Sequence, residues 1–190
     1  MAKHYLARTV TENPSYMQAA LKVQAGTTEV AGNIFVAEKL DNAVKGAEGD
    51  RNLMVYTPEA ITDITKQDIV LVLNNGFETL TDGRRPEGQP DYTQYGYGAG
   101  EVVTAHRLIP GVRFEISVDA CDESVANAGT LAVGDNLIPA NGKNVLVYSK
   151  AGTAVTAKNY LTIEAIRDFR LGGQSGMEHT KTLIVRAKSN

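Results

Sequence analysis

The sequence predicts a mainly β protein, an antiparallel β-barrel or sandwich with a long loop and short helical turns, and three observations carry that prediction. In Val112-Arg113-Phe114-Glu115-Ile116-Ser117-Val118-Asp119 apolar residues take every second position, so one face is buried and the other wet. From residue 101 to 188 short apolar segments follow one another, separated by turns rich in glycine. The composition agrees: valine and threonine are frequent, glycine numbers 18 and tryptophan is absent.

The elements follow in order. Residues 1–26 begin polar, pass Asn13-Pro14-Ser15 and reach Tyr16-Met17-Gln18-Ala19-Ala20-Leu21-Lys22-Val23, which fits a short helix capped by Ser15 or a strand. This segment reads either as an extension that docks on a neighbour or as a frayed terminus. Ile34, Val36 and Leu40 suggest a strand bending into a turn, and acidic Ala47-Glu48-Gly49-Asp50 separates it from a strand at Leu53-Met54-Val55-Tyr56. Pro58 is expected to close that strand, since proline has no amide hydrogen for a ladder. Ile69-Val70-Leu71-Val72-Leu73 is a continuous branched run, the mark of a strand buried on both faces. Asn74-Asn75-Gly76 then predicts a tight reversal, with Phe77-Glu78-Thr79-Leu80 returning.

Residues 81–100 show no periodicity, and a connection of that length is usually functional or ordered only against a partner. It gathers Arg84, Arg85, Tyr92, Tyr95 and Tyr97, residue types that supply much of the contact energy at protein interfaces. Beyond it, Val102-Val103-Thr104-Ala105-His106-Arg107-Leu108-Ile109 and the segment from Val112 are expected to form a hairpin about Pro110-Gly111. Residues 122–129 read as a turn or one helical turn. Further short strands are expected near Leu137, Val147, residues 153–157, Ile163 and Ile184. This divides the chain into an N-terminal segment with a strand-rich subdomain (1–100, carrying the 81–100 loop) and a barrel or sandwich core (101–190).

Composition excludes several classes of function. The formal net charge is −3, from 19 basic and 22 acidic residues, which gives no global case for nucleic acid or an anionic membrane. No apolar run reaches the length of a signal peptide or a membrane span, and the single cysteine forbids an intrachain disulfide. The expectation is a soluble protein made in a reducing cytosol.

No catalytic, cofactor or metal motif emerges. His4, His106 and His179 lack metal-ligand spacing; His106 reads as an ordinary strand residue and His179 as a solvated turn residue. Cys121 lies among Asp119, Asp122 and Glu123, whose carboxylates oppose a thiolate, and a thiol hydrolase with His106 as base is a minor alternative. The same acidic cluster lacks the pattern of a calcium loop. Gly96, Gly98 and Gly100 precede a strand, not a helix, and so do not read as a phosphate cradle. Gln174-Ser175-Gly176 lacks the preceding glycine of a nucleophile elbow. The pair Arg84-Arg85 is nearly cancelled by Asp82, Glu87, Asp91 and Glu101, which favours a protein partner over single-stranded nucleic acid.

The order of features resembles that of capsid decoration, or cement, proteins of tailed bacteriophages. The resemblance rests on Gly100-Glu101-Val102-Val103, Val112-Arg113-Phe114-Glu115-Ile116-Ser117, Val133-Gly134-Asp135-Asn136-Leu137-Ile138 and Leu161-Thr162-Ile163-Glu164-Ala165-Ile166, and covers about the last ninety residues. It implies a non-enzymatic virion protein on the capsid exterior, synthesised in the host cytoplasm, often trimeric, bridging major capsid protein subunits. It implies no cofactor, no nucleic acid and no membrane. A tail-tube or head-completion protein is the alternative, and would assemble as a ring.

Overall fold

The computed structural model describes residues 3–10, 20–27, 29–41, 55–74, 96–171 and 178–190. The expected β architecture is present as two bodies, a closed five-stranded barrel and a six-stranded antiparallel sheet. The barrel runs β2 (Ala20–Gln24), β5 (Val55–Glu59), β4 (Ile34–Asp41), β6 (Ile69–Val72) and β8 (Val102–Arg107), which pairs back onto β2. The sheet runs β1 (Ala7–Thr9), β9 (Arg113–Ser117), β13 (Glu178–Ser189), β12 (Asn159–Leu171), β10 (Asn136–Ile138) and β11 (Val147–Ser149). A small pair, β3 (Glu29–Val30) with β7 (Gly96–Tyr97), completes the strands described. The closed barrel therefore spans residues 20–107, with β8 beyond position 100, while β1 joins the sheet of the second half.

Side-chain alternation explains how the bodies share one interior. In β4 and β6 the residues Phe35, Ala37, Val70 and Val72 point into the barrel, beside Val23, Val103 and Ala105. Their neighbours Ile34, Val36, Ile69 and Leu71 point outward, yet are fully buried, because the sheet packs there with Phe114, Ile116, Leu161, Ile163, Leu183 and Val185. A strand with a core on each face needs apolar residues at every position, which accounts for the uninterrupted run in β6. Each large side chain so buried is worth about 1.5–3 kcal/mol.

The chain leading into β4 approaches the turn after β9 closely at Gly32. Its φ is +95°, and a Cβ there would stand 2.5 Å from Ala120 Cβ and 2.9 Å from Ala120 O, so only glycine fits. Ala120 belongs to a 3-10 turn, Val118–Ala120, followed by the four-residue helix α1 (Glu123–Ala126), whose first turn is capped by Asp122 Oδ1 accepting from Ser124 N at 2.9 Å.

Of the two readings left open for the segment reaching Val23, the described part, Ala20–Gln24, is a strand. Several other expectations require correction. Pro58 does not end β5 but lies within it: the ladder to β4 passes from Thr57↔Lys39 to Glu59↔Val36, so proline sits opposite a bulge where no amide is needed. Strands β8 and β9 do not form a hairpin. Pro110-Gly111 makes the turn, with Val112 N donating to Ile109 O at 3.1 Å, but it passes the chain from barrel to sheet, where β9 pairs with β1 and β13. Residues 153–158 form no strand, and His179 lies in β13 opposite Arg170 rather than in a turn. The expected reversal at Asn75-Gly76 and the loop after Leu171 lie outside the described residues.

Candidate functional site

The aperiodic stretch 81–100, singled out for partner contacts, falls in the connection between β6 and β7 and takes in β7 itself. Both anchor points are fixed by hydrogen bonds. Leu73 N donates to Thr104 O at 2.9 Å, and Asn74 N to Ala7 O at 2.9 Å. The Asn74 side chain acts as a further strand edge: its Oδ1 accepts from Ala7 N at 2.7 Å and its Nδ2 donates to Tyr5 O at 3.2 Å. At the return, Glu29 and Val30 pair with Tyr97 and Gly96. The Tyr97 hydroxyl donates to Leu73 O over a long 3.5 Å, which ties the two anchor points together. Gly98 N donates to Glu101 Oε2 at 3.0 Å and Gly100 N to Ala25 O at 2.8 Å, so the glycines close a turn at the barrel rim.

Of the five residues expected to contact a partner, Tyr97 is described, and its ring packs in the barrel interior at 6 % exposure. Arg84, Arg85, Tyr92 and Tyr95 lie outside the described residues. Glu29, across from Tyr97, carries no sequence signal beyond its position in a short strand. It is 8 % exposed; its Oε1 accepts from Thr27 Oγ1 at 3.3 Å, while Oε2 is buried with no hydrogen-bond partner among the described residues. Burial raises its pKa against the weaker opposing effect of Thr27.

The groups considered for chemistry are engaged structurally. Burial, followed by the charges of Asp119 and Asp122, pushes the Cys121 thiol up to about 12, which leaves a thiolate fraction on the order of 10⁻⁵ at neutral pH. His106 is buried in β8; its Nδ1 lies 2.7 Å from the Arg107 carbonyl, the place of a donor, and its ring meets Phe114 edge-on at 5.3 Å. Asp135 is a hub for the loops around β10, accepting from Ala132 N, Ala151 N and the Tyr148 hydroxyl at 2.9, 2.9 and 3.0 Å. Burial pushes its pKa up, but these donors outweigh it and hold the carboxyl below its ordinary range. Among the described residues no group of acidic, histidine or cysteine side chains is placed to hold a metal ion, and no helix is long and apolar enough to cross a membrane.

Sequence reading also missed the charges on the outward face of the sheet. Arg8 Nε and Nη2 donate to Glu115 Oε2 at 2.9 and 2.5 Å, and Thr182 Oγ1 donates to Glu115 Oε1 at 2.8 Å, so a carboxylate only 4 % exposed is fully bonded. A bulge between Ile163 and Ala165 leaves Glu164 out of the register with β13, and its carboxylate lies between two arginines. Arg113 Nε donates to its Oε2 at 2.6 Å; Arg186 Nε lies 2.6 Å from Oε1, a contact of charge rather than an aligned hydrogen bond. The alternation of Arg113 and Glu115 was the available signal, since it marks one face of a strand. At the end of that face, Asp119 Oδ2 accepts from His4 N and Thr180 Oγ1, both at 3.1 Å. Comparison of the chain with family models, curated proteins and solved structures finds no match.

Proposed function

We propose that this chain is a non-enzymatic virion structural protein that decorates a tailed-phage capsid from outside and stabilises it by bridging major capsid protein subunits, as a homo-oligomer and most simply a trimer. One observation carries the reading: a double-cored β body holds the residues on either side of the tyrosine- and arginine-bearing segment 75–95 close together, through Tyr97, Leu73 and Asn74. Such a body supplies the rigidity, and repeated weak contacts to a lattice supply the affinity. Tyr97 serves as the anchor of that stretch, and Arg84, Arg85, Tyr92 and Tyr95 as its contacts. The sequence resemblance to decoration proteins points the same way.

The test is binding of the purified protein to expanded capsids of tailed phages, read by electron microscopy, beside a variant lacking residues 84–95 that keeps Tyr97 in place. Regular density on the shell that is lost with the deletion supports the proposal. Equal occupancy by the deletion variant rejects the role of the stretch. Rings at the portal or along a tail, with a bare shell, would replace it with the tail-tube or head-completion reading.

A further inference from the structure

We infer that the short pair β3–β7 is a pH-sensitive latch at the barrel rim: when the Glu29 carboxyl ionises, β3 separates from β7 while the rest of the barrel stays closed. The pair is small. Its register holds Glu29 opposite Tyr97 and Val30 opposite Gly96. Val30 is engaged elsewhere, its N donating to Asn33 Oδ1 at 2.7 Å and its O accepting from Asn33 N at 3.1 Å, so the ladder is held at Glu29 and Tyr97. Gly26 and Thr27, which lead into β3, form an exposed bend, so little covering structure has to move before Glu29 meets water.

Glu29 supplies the sensitivity. Residues directly opposite in an antiparallel pair project to the same side, so its side chain shares the side of the Tyr97 ring, which packs with Val23, Ala25 and Phe35 in the barrel. There the carboxyl has one oxygen bonded to Thr27 and the other, Oε2, buried without a partner among the described residues. Nor do the neighbouring elements bring it a cation among the described residues. β7 and the turn after it carry Tyr97 and Glu101, whose Oε2 accepts from Gly98 N at 3.0 Å. On β2, Lys22 gives its Nζ to Thr104 Oγ1 at 2.7 Å, and β5, which meets Gly26 at Pro58, ends in Glu59. A neutral carboxyl tolerates this place; a carboxylate with one oxygen unpaired is penalised by its lost hydration. Burial accordingly raises the pKa of Glu29 in the closed pair, and in the open pair the hydrated group returns to its ordinary 4.5. The opening constant is therefore flat below that value, climbs by up to about tenfold per pH unit until the raised value is passed, and then levels. The latch is closed in acid and loosened toward neutral pH. It goes beyond the proposed function, since it concerns the barrel rim with or without a shell.

Hydrogen exchange of the full chain tests it, followed residue by residue by nuclear magnetic resonance from about pH 3.5 to about pH 8, with each rate divided by the intrinsic rate at that pH. The corrected exchange of the Glu29 and Tyr97 amides should be flat to about pH 4.5 and then climb by up to about tenfold per pH unit. It should also stay faster than that of Phe114 and Ile116 in β9 and ignore about 1 M urea, because the opening exposes little surface. E29Q, neutral at every pH and of the same size, should hold both amides at their acid level throughout. A wild-type profile without the climb overturns the inference, as does a climb that survives in E29Q, which assigns the titration to another group. Exchange of the two amides at the rate of the β9 amides, rising with urea, overturns it too, since only global unfolding would then expose Glu29.

Discussion

Replacing Gly32 with alanine tests the contact that welds barrel to sheet. Two penalties combine there. A positive φ costs a residue with a Cβ about 1–2 kcal/mol, and the new methyl would stand 2.5 Å from Ala120 Cβ and 2.9 Å from Ala120 O. The atoms that must move are those of a 3-10 turn closed by Cys121 N to Val118 O at 3.1 Å and tethered just beyond it by Asp122 N to Leu146 O at 2.8 Å. Overpacking of that kind costs about 1–3 kcal/mol, so G32A should lose about 2–5 kcal/mol. The control is G142A: its φ is +73°, but nothing lies within 4 Å of the added Cβ, so it meets the backbone penalty alone. Urea unfolding measures both; with a slope of about 2 kcal/mol/M or more, G32A should lower the midpoint by about 1–2 M and G142A by roughly half as much or less. Equal midpoints for the two variants would refute the close approach of barrel and sheet.

Three further outcomes follow from bonds described above. E115A strands the Thr182 hydroxyl and frees Arg8 from a buried carboxylate, so it should destabilise by about 3 kcal/mol and speed hydrogen exchange in β1 and β9; exchange unchanged in β1 would show that Arg8 does not hold it. Glu29 has a raised folded pKa, so its contribution to stability is present below its ordinary value of 4.5 and is lost as pH climbs through the folded value. E29Q should therefore raise the unfolding midpoint at pH 7 and change it little at pH 4, and a gain of equal size at both would contradict the assignment. With its thiol pushed up to about 12, Cys121 should resist iodoacetamide in the native protein at pH 8 and react on unfolding in urea, a contrast read by mass spectrometry.

Much of the body was legible in the sequence because burial writes itself as periodicity. The alternation from Val112 marked β9, and the unbroken run at Ile69 marked a strand with a core on each side. Pairing was not legible in the same way. Pro110-Gly111 reports that the chain turns, and nothing in those two residues says whether the next strand stays in the barrel or crosses to the sheet. The placement of Glu164 between Arg113 and Arg186 likewise depends on a cross-strand register that local sequence does not encode. At the candidate site, composition identified a tyrosine-rich stretch, but two residues of strand are too few to show a face. Tyr97 was therefore grouped with its neighbours, although its ring fills the barrel. Asn74 carried a turn signal, and nothing in it announced that its side chain clips the backbone of the N-terminal segment at Tyr5 and Ala7.

That clip has a temporal side. The amide of Leu6 waits for Ser117, 111 positions downstream, and β2 waits for β8 to seal the barrel. The barrel cannot close before β8 is made and the sheet cannot be completed before β13, so the nascent chain spends most of its synthesis with apolar strands unmatched. Such a late-closing topology would benefit from shielding during translation, and loss of β1 would leave β9 as a raw edge open to other chains.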